Sequence, residues 1–379
     1  MKCPLLLPIL FLIPNAELRS EATVPPEPTP SIFQKRATPE TRLAAIAELN
    51  GHPATQLAVT DSLRYLATTQ NEDGSWNNVT VASTAMALLC FLGNGESTKS
   101  AEFGPTIQKG ITFLVSNAVA NRGKLTQDAL DHRWPYEHAI AVQALAEAYI
   151  ICEKGGEAKI PNLKRAVEVC GQFLINSQHK GGGWDYAYRQ DSMRGGDTSI
   201  TGWHLQALMA CKLTGLEFAN LRKCYKKGLD YLERMQAPSG AFGYSSPNGL
   251  HHDGTSLTAI GALCFQTWET PADRRARKAI RFLHKGLKFA WDSPNGDLYA
   301  HFFASQAMRN HGGKEWARYH DLVFLEIIKH QAGDGSYLRP NPGEPKKVNA
   351  SNPLYLKDDA FGKHYRTCLA TLILQSYYR

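Results

Sequence analysis

Beyond its first residues the chain has no apolar run approaching the ~18 residues that a membrane helix needs. No Cys-x2-Cys pair occurs, and the eight cysteines fall to an odd seven without Cys3, which argues against a disulfide framework. Cys90, Cys152, Cys170, Cys211, Cys264 and Cys368 lie in apolar runs and read as small core hydrophobes. There is no Gly-x-Ser-x-Gly elbow for a nucleophile and no glycine loop that would cradle phosphate. A long basic stripe with interleaved aromatics is missing too. Arg274-Arg275-Ala276-Arg277-Lys278 and Lys226-Lys227 are short and read as solvated helix faces, so nucleic acid is not an expected partner. No stretch alternates as a half-buried strand does.

What remains is a 379-residue chain, 43% apolar, 20% charged and +7 in formal charge, enough to bury a sizeable core. Residues 1–22 run from Lys2 through an apolar block at 5–13 to small residues at Ala16 and Ala22, the layout of a secretory signal. A secreted or periplasmic location is the expectation, with no integral span in the mature chain. Residues 23–37 include Val24-Pro25-Pro26-Glu27-Pro28-Thr29-Pro30 and read as a proline-stiffened linker. Thr38-Pro39-Glu40 supplies an N-cap, a proline at the first helical position and an acidic first turn, and residues 38–379 form one domain.

That domain is repetitive. Gln178, Gly182 and Trp184 share their spacing with Gln70/Gly74/Trp76, Gln236/Gly240/Phe242 and Gln331/Gly335/Tyr337. The amide can bond to free backbone groups at a helix end, the glycine permits a sharp turn, and the ring stacks under the next unit. Between the copies, apolar residues recur at helical spacing. One set of helices is expected over 59–70, 111–117, 166–178, 228–236, 279–290 and 322–331. A second set is marked by Ala87-Leu88, Ala144-Leu145, Ala207-Leu208, Ala262-Leu263, Ala307-Met308 and Thr371-Leu372, whose small residues permit close approach. Six helical hairpins result. Such units cannot bury their apolar faces alone, and the last helix is apolar to its end, which favours closure into a ring. The fold expected is all-α, an (α/α)6 toroid.

The glutamine-to-aromatic signature resembles the repeat of squalene and oxidosqualene cyclases, other class II terpene cyclases and protein prenyltransferase β subunits, over about residues 58–379. Tyr136-Glu137-His138-Ala139-Ile140-Ala141, Gly196-Asp197-Thr198-Ser199-Ile200-Thr201-Gly202-Trp203 and Asp297-Leu298-Tyr299-Ala300-His301-Phe302 are similar to the secreted prenyltransferase/squalene-oxidase-repeat proteins. The resemblance implies a toroid with a central cavity ringed by inner helices, and an apolar polyprenyl or terpenoid ligand, bound and in some relatives cyclised. It also implies Tyr136, His138, Trp203, Asp297, His301 and Phe302 as cavity residues.

The family's reactive motifs are incomplete here. Asp-x-Asp-Asp is absent. Asp197 and Asp253, each before an inner helix, are the candidate acids, with His252 and Tyr299 orienting, though N-capping is the favoured reading of both aspartates. The prenyltransferase zinc ligands are also missing: Tyr299 stands two residues after Asp297 where a cysteine is needed, and Arg366 where a histidine is needed. No cofactor is therefore assigned. His251-His252 with Asp253, or His301 with Asp297, are zinc-ligand types, and Asp358-Asp359 suits magnesium or an N-cap. Trp134, Tyr136, Trp184, Tyr186, Tyr188, Trp203, Phe242, Tyr244, Tyr299, Phe302 and Phe303 divide between core and cavity wall. Two other function classes stay open: a non-enzymatic extracytoplasmic interaction module, and a carbohydrate-active toroid using paired carboxylates.

Overall fold

The computed structural model describes residues 31–127, 132–156, 160–188, 195–250, 254–293, 295–339, 353–357 and 359–379. Two helices lead in: α1 (Ser31–Gln34) and α2 (Pro39–Glu48). Thr38 caps α2 by accepting from the Thr41 amide at 3.3 Å, with the reciprocal bond at 3.1 Å. Residues 31–37 do not behave as a spacer. Phe33 and Arg36 are 5% and 3% exposed, packed on the domain that follows.

Six hairpins then pair an outer helix with an inner one. The outer helices are α3 (Ala54–Thr68), α5 (Gly104–Ala120), α7 (Leu163–Asn176), α9 (Leu221–Met235), α11 (Arg274–Gly286) and α13 (Gly313–Lys329). The inner ones are α4 (Thr80–Gly93), α6 (Trp134–Ala148), α8 (Thr198–Leu213), α10 (Thr255–Trp268), α12 (Leu298–His311) and α14 (Ala360–Leu374). Each inner helix packs on the next, and α14 closes on α4, while α13 reaches α3 in the outer layer. The chain is an (α/α)6 toroid, and no strand occurs among the described residues. The inner helices are buried nearly all round, as alternating small and large apolar residues require when six helices share one centre. The seven described cysteines are buried free thiols. No helix among the described residues is long and apolar enough to cross a membrane.

The repeated glutamine is the joint of the ring. In each copy its Nε2 donates both to the carbonyl of its own turn glycine and to the first turns of the next outer helix. Gln70 reaches Gly74 and Thr106, both at 2.9 Å, and Gln178 reaches Gly182 at 2.7 Å and Cys224 at 2.8 Å. Gln236 reaches Gly240 at 3.3 Å and Arg275 at 2.9 Å. Gln331 reaches Gly335 at 3.0 Å and, across the seam, Ala58 at 2.7 Å. The glycines have φ between 83° and 101°, and a Cβ on Gly335 would stand 2.1 Å from the Asp61 carbonyl, so the turn demands glycine. The aromatic that follows is fully buried in all four copies.

A further element of the joint is not visible as a fixed spacing. The backbone N–H of each motif aromatic donates to a threonine in the first half of the inner helix. Trp76 uses Thr84, Trp184 uses Thr201, Phe242 uses Thr258 and Tyr337 uses Thr367, at 3.0 to 3.2 Å. The two remaining units lack the glutamine. In the second, Gly123 (φ 92°) keeps the turn, Leu125 replaces the aromatic, and its N–H donates at 3.1 Å to His138 Nδ1. In the fifth, His301 occupies the matching place, its Nε2 donating at 3.3 Å to the Lys288 carbonyl.

Candidate functional site

A cavity of about 380 Å³ opens at the end of the ring where all six inner helices begin. Its wall comes from their first two turns: Ser83 and Met86 of α4, Tyr136 and Ile140 of α6, Ser199 and Trp203 of α8, Leu257 of α10, Tyr299 of α12, and Phe361, His364 and Tyr365 of α14. Tyr186 and Tyr244, from the loops before α8 and α10, complete a set of seven Tyr, Trp and Phe rings. Helix starts rather than helix middles line it because side chains lean back toward their own N-terminus, so first-turn residues overhang the mouth.

Below this layer the centre is filled. Trp203 stacks on Phe302 at 5.4 Å and meets Phe303 edge-on at 5.2 Å, while its indole N–H donates to the Tyr299 hydroxyl at 3.1 Å. At the opposite end, Glu147 is held between Arg36 at 3.2 Å and Arg379 at 3.0 Å, and Arg379 also donates to the Leu89 carbonyl at 2.7 Å. Burial lowers the Arg36 guanidinium to about 10, and Glu147 is the partner that opposes this. The toroid is a cup, not a tube.

One corner of the cup is polar. The Tyr136 hydroxyl shares a hydrogen bond with Ser199 Oγ, which donates to Asp197 Oδ1 at 2.8 Å. The same oxygen accepts the Ser199 and Ile200 amides at 2.8 and 3.0 Å, making Asp197 the N-cap of α8. The Tyr186 and Tyr244 hydroxyls meet at 2.8 Å nearby. Burial pushes the Asp197 carboxyl above its usual range, against the Tyr244, Ser199 and Ile200 groups that pull it down. Its Oδ2 is buried without a hydrogen bond of good geometry, even though the Tyr244 hydroxyl lies near enough to act on its charge.

The sequence candidates separate by layer. Tyr136, Trp203 and Tyr299 line the cavity. Asp197 stands one residue behind the wall, screened by Ser199. Asp297 is not at the wall but caps α12, accepting the Tyr299 and Ala300 amides at 3.1 and 3.2 Å. Phe302 lies one layer down, and His138 and His301 sit in the joints between units. His252 and Asp253, like His251 and Asp358, lie outside the described residues. Arg366 is structural, donating to the Tyr337 and Lys357 carbonyls at 3.0 and 2.7 Å. Several polar and aromatic wall residues are not singled out by the sequence, Ser199, Phe361, His364 and Tyr365 among them. Ser199 was hidden inside a capping pattern. Phe361, His364 and Tyr365 belong to the first two turns of a helix that begins at Ala360, earlier than the apolar run suggests. Burial lowers His364 to about 4, and its Nε2 donates to the Ser83 carbonyl at 3.0 Å. Among the described residues no group of three His, Cys, Asp or Glu side chains is placed to hold a metal.

No protein-family model matches the chain, and no curated protein matches it. Solved structures do. A variant of the type II terpene cyclase MstE from Scytonema, in complex with geranylgeranyl dihydroxybenzoate, is 14% identical with a TM-score of 0.55, covering 88% of this chain and 99% of that one. The α-1,6-mannanase GH76A of Salegentibacter sp., in complex with α-1,6-mannotriose, has a TM-score of 0.58 at 8% identity, covering 86% and 99%. A glycosidase in complex with glucose has a TM-score of 0.53 at 11% identity, covering 90% and 99%. The fold is thus shared by cyclases and glycosidases, and the site must decide between them.

Proposed function

We propose that the cavity takes an apolar ligand of the isoprenoid class, gripped by ring faces and oriented by the hydroxyls of Tyr136 and Ser199. One observation carries this: a wall of seven aromatic rings around about 380 Å³, within the size range of small-molecule sites. The terpene cyclase neighbour binds a geranylgeranyl compound on the same fold, which supports the reading.

A hydrolase of the mannanase kind needs two carboxyl groups flanking one bond. Among the described wall residues there is one, Glu137, and its Oε2 already accepts from Thr126 and Gln127 at 3.2 and 3.0 Å. Proton-initiated cyclisation needs an acid in contact with the alkene, and Asp197 is fully buried behind Ser199. Asp197 therefore acts by fixing Ser199 and, through it, Tyr136, and the role proposed for this corner is ligand binding. The signal-like layout of residues 1–22 supports a binding role outside the cytoplasm.

Thermal-shift titration tests the proposal. Geranylgeraniol is expected to raise the melting temperature and α-1,6-mannotriose to leave it unchanged. Ala82→Trp, which fills the cavity from α4, should abolish the shift while the fold persists. A response to the trisaccharide alone would reject the isoprenoid reading.

A further inference from the structure

The outer wall is electrically lopsided. Helix α9 carries five Lys/Arg and two acids, and α11 six Lys/Arg and no acid, a net +9 from two helices. The whole chain is +7, so everything else sums to −2. In sequence these clusters are 40 to 50 residues apart and look like unrelated solvated faces. The ring makes them neighbours: Gln236 at the end of α9 donates to the Arg275 carbonyl of α11 at 2.9 Å, and Arg275 pairs with Glu233 of α9 at 2.6 Å. Arg222, Lys223, Lys226 and Lys227 of α9 and Arg277 and Arg281 of α11 are exposed, and no ion pair among the described residues engages them. The other outer helices carry mixed or sparse charge.

We propose that this α9–α11 face docks the protein on an anionic lipid surface. Three features select that partner over a nucleic acid or an acidic polysaccharide. The cations spread over two helices on the outside of a ring, a broad convex face that a flat charged surface meets at many points together. The cavity lies on a different face, at the inner-helix starts, so no groove here would track a linear polymer. None of the large exposed hydrophobics is on α9 or α11, so no exposed ring is offered for stacking bases or sugars, and no apolar wedge for insertion. Binding is electrostatic and reversible. Because the patch is on the side wall, the mouth of the cup stays open when the protein is docked. The proposal is independent of which ligand the cavity takes.

Each Lys or Arg that reaches an anionic surface contributes roughly fivefold in partitioning, since about 1 kcal/mol per residue is typical. The full chain would be co-sedimented with phosphatidylcholine vesicles, with and without a third of the lipid replaced by phosphatidylglycerol. Binding is expected only to the anionic vesicles, and is expected to vanish as salt nears ~1 M, where the screening length shrinks to about 3 Å. The quadruple variant Lys223→Gln, Lys226→Gln, Arg277→Gln, Arg281→Gln should weaken binding at least ~100-fold. Neutralising Lys109, Lys164, Lys314 and Lys329 on the other outer helices should leave it unchanged. Circular-dichroism melts confirm that both variants fold. Equal binding to neutral vesicles, indifference to the first set of substitutions, or tighter binding to duplex DNA than to anionic vesicles at the same salt would each overturn the proposal.

Discussion

The units that end in glutamine and the two that do not hold the same ring by different chemistry. In the first, third, fourth and sixth units an amide bridges two helices, and a threonine receives the N–H of the motif aromatic. In the second and fifth, a buried histidine stands where the threonine would be, and the amide bridge is missing. The lesson is that the glutamine is one solution to a fixed problem, the unpaired backbone groups where an outer helix stops against its neighbour. A side chain that can titrate is the other solution. The joint at His138 is therefore sensitive to acid in a way that an amide is not.

Substitutions at the turn glycines break the comparison hardest. Gly335 has φ 83° and backbone 2.1 Å from any added Cβ, whereas the nearest atom at Gly123 is 3.0 Å away. Gly335→Ala is expected to cost about 3 kcal/mol or more, and Gly123→Ala about 1–2 kcal/mol, read from urea midpoints. Equal costs would show that the closing turn is no tighter than the second. Gln331→Ala comes next. It strips a shared donor from the Ala58 and Gly335 carbonyls across the ring seam, and should lower stability by about 2 kcal/mol.

Acid sharpens the contrast. Burial lowers His138 to about 3 from 6.5, so the folded state binds this proton far less readily than the unfolded chain. The stability it contributes is fully present above about pH 6.5 and drains away as pH falls toward 3. His138→Thr, which copies the other joints, should flatten the decline of the melting temperature between pH 6.5 and 4, and His364 accounts for part of what remains. An unchanged slope would remove His138 from the account. The smallest effect is expected at Asp197→Asn. Asparagine caps as well as aspartate, so stability and ligand binding should stay within about 0.5 kcal/mol, while Asp197→Ala should lose about 1 kcal/mol.

Much of the ring was legible because its repeat is chemical as well as periodic. Gln-x3-Gly-x-aromatic names the joint, and Ala-Leu pairs name the inner helices. Helix starts were read late. The 111–117 segment is only the apolar middle of Gly104–Ala120, since Pro105 and the polar residues of the first turn hide its beginning. The same error concealed the wall, because a cup lined by helix starts is built from the residues least marked by hydrophobic periodicity. Tyr136, Trp203 and Tyr299 were found as conspicuous rings. Ser199 and His364 were not, since a serine inside a cap and a histidine in a helix look structural until the ring brings them together. The charge asymmetry was also invisible, as no linear window holds both α9 and α11.

The most direct test of the central claim is native mass spectrometry of the full protein after incubation with equimolar geranylgeraniol and α-1,6-mannotriose. The account predicts one bound isoprenoid, no bound sugar, and loss of the adduct in Ala82→Trp. A sugar adduct in place of the isoprenoid, or an isoprenoid adduct that survives the filled cavity, would contradict it.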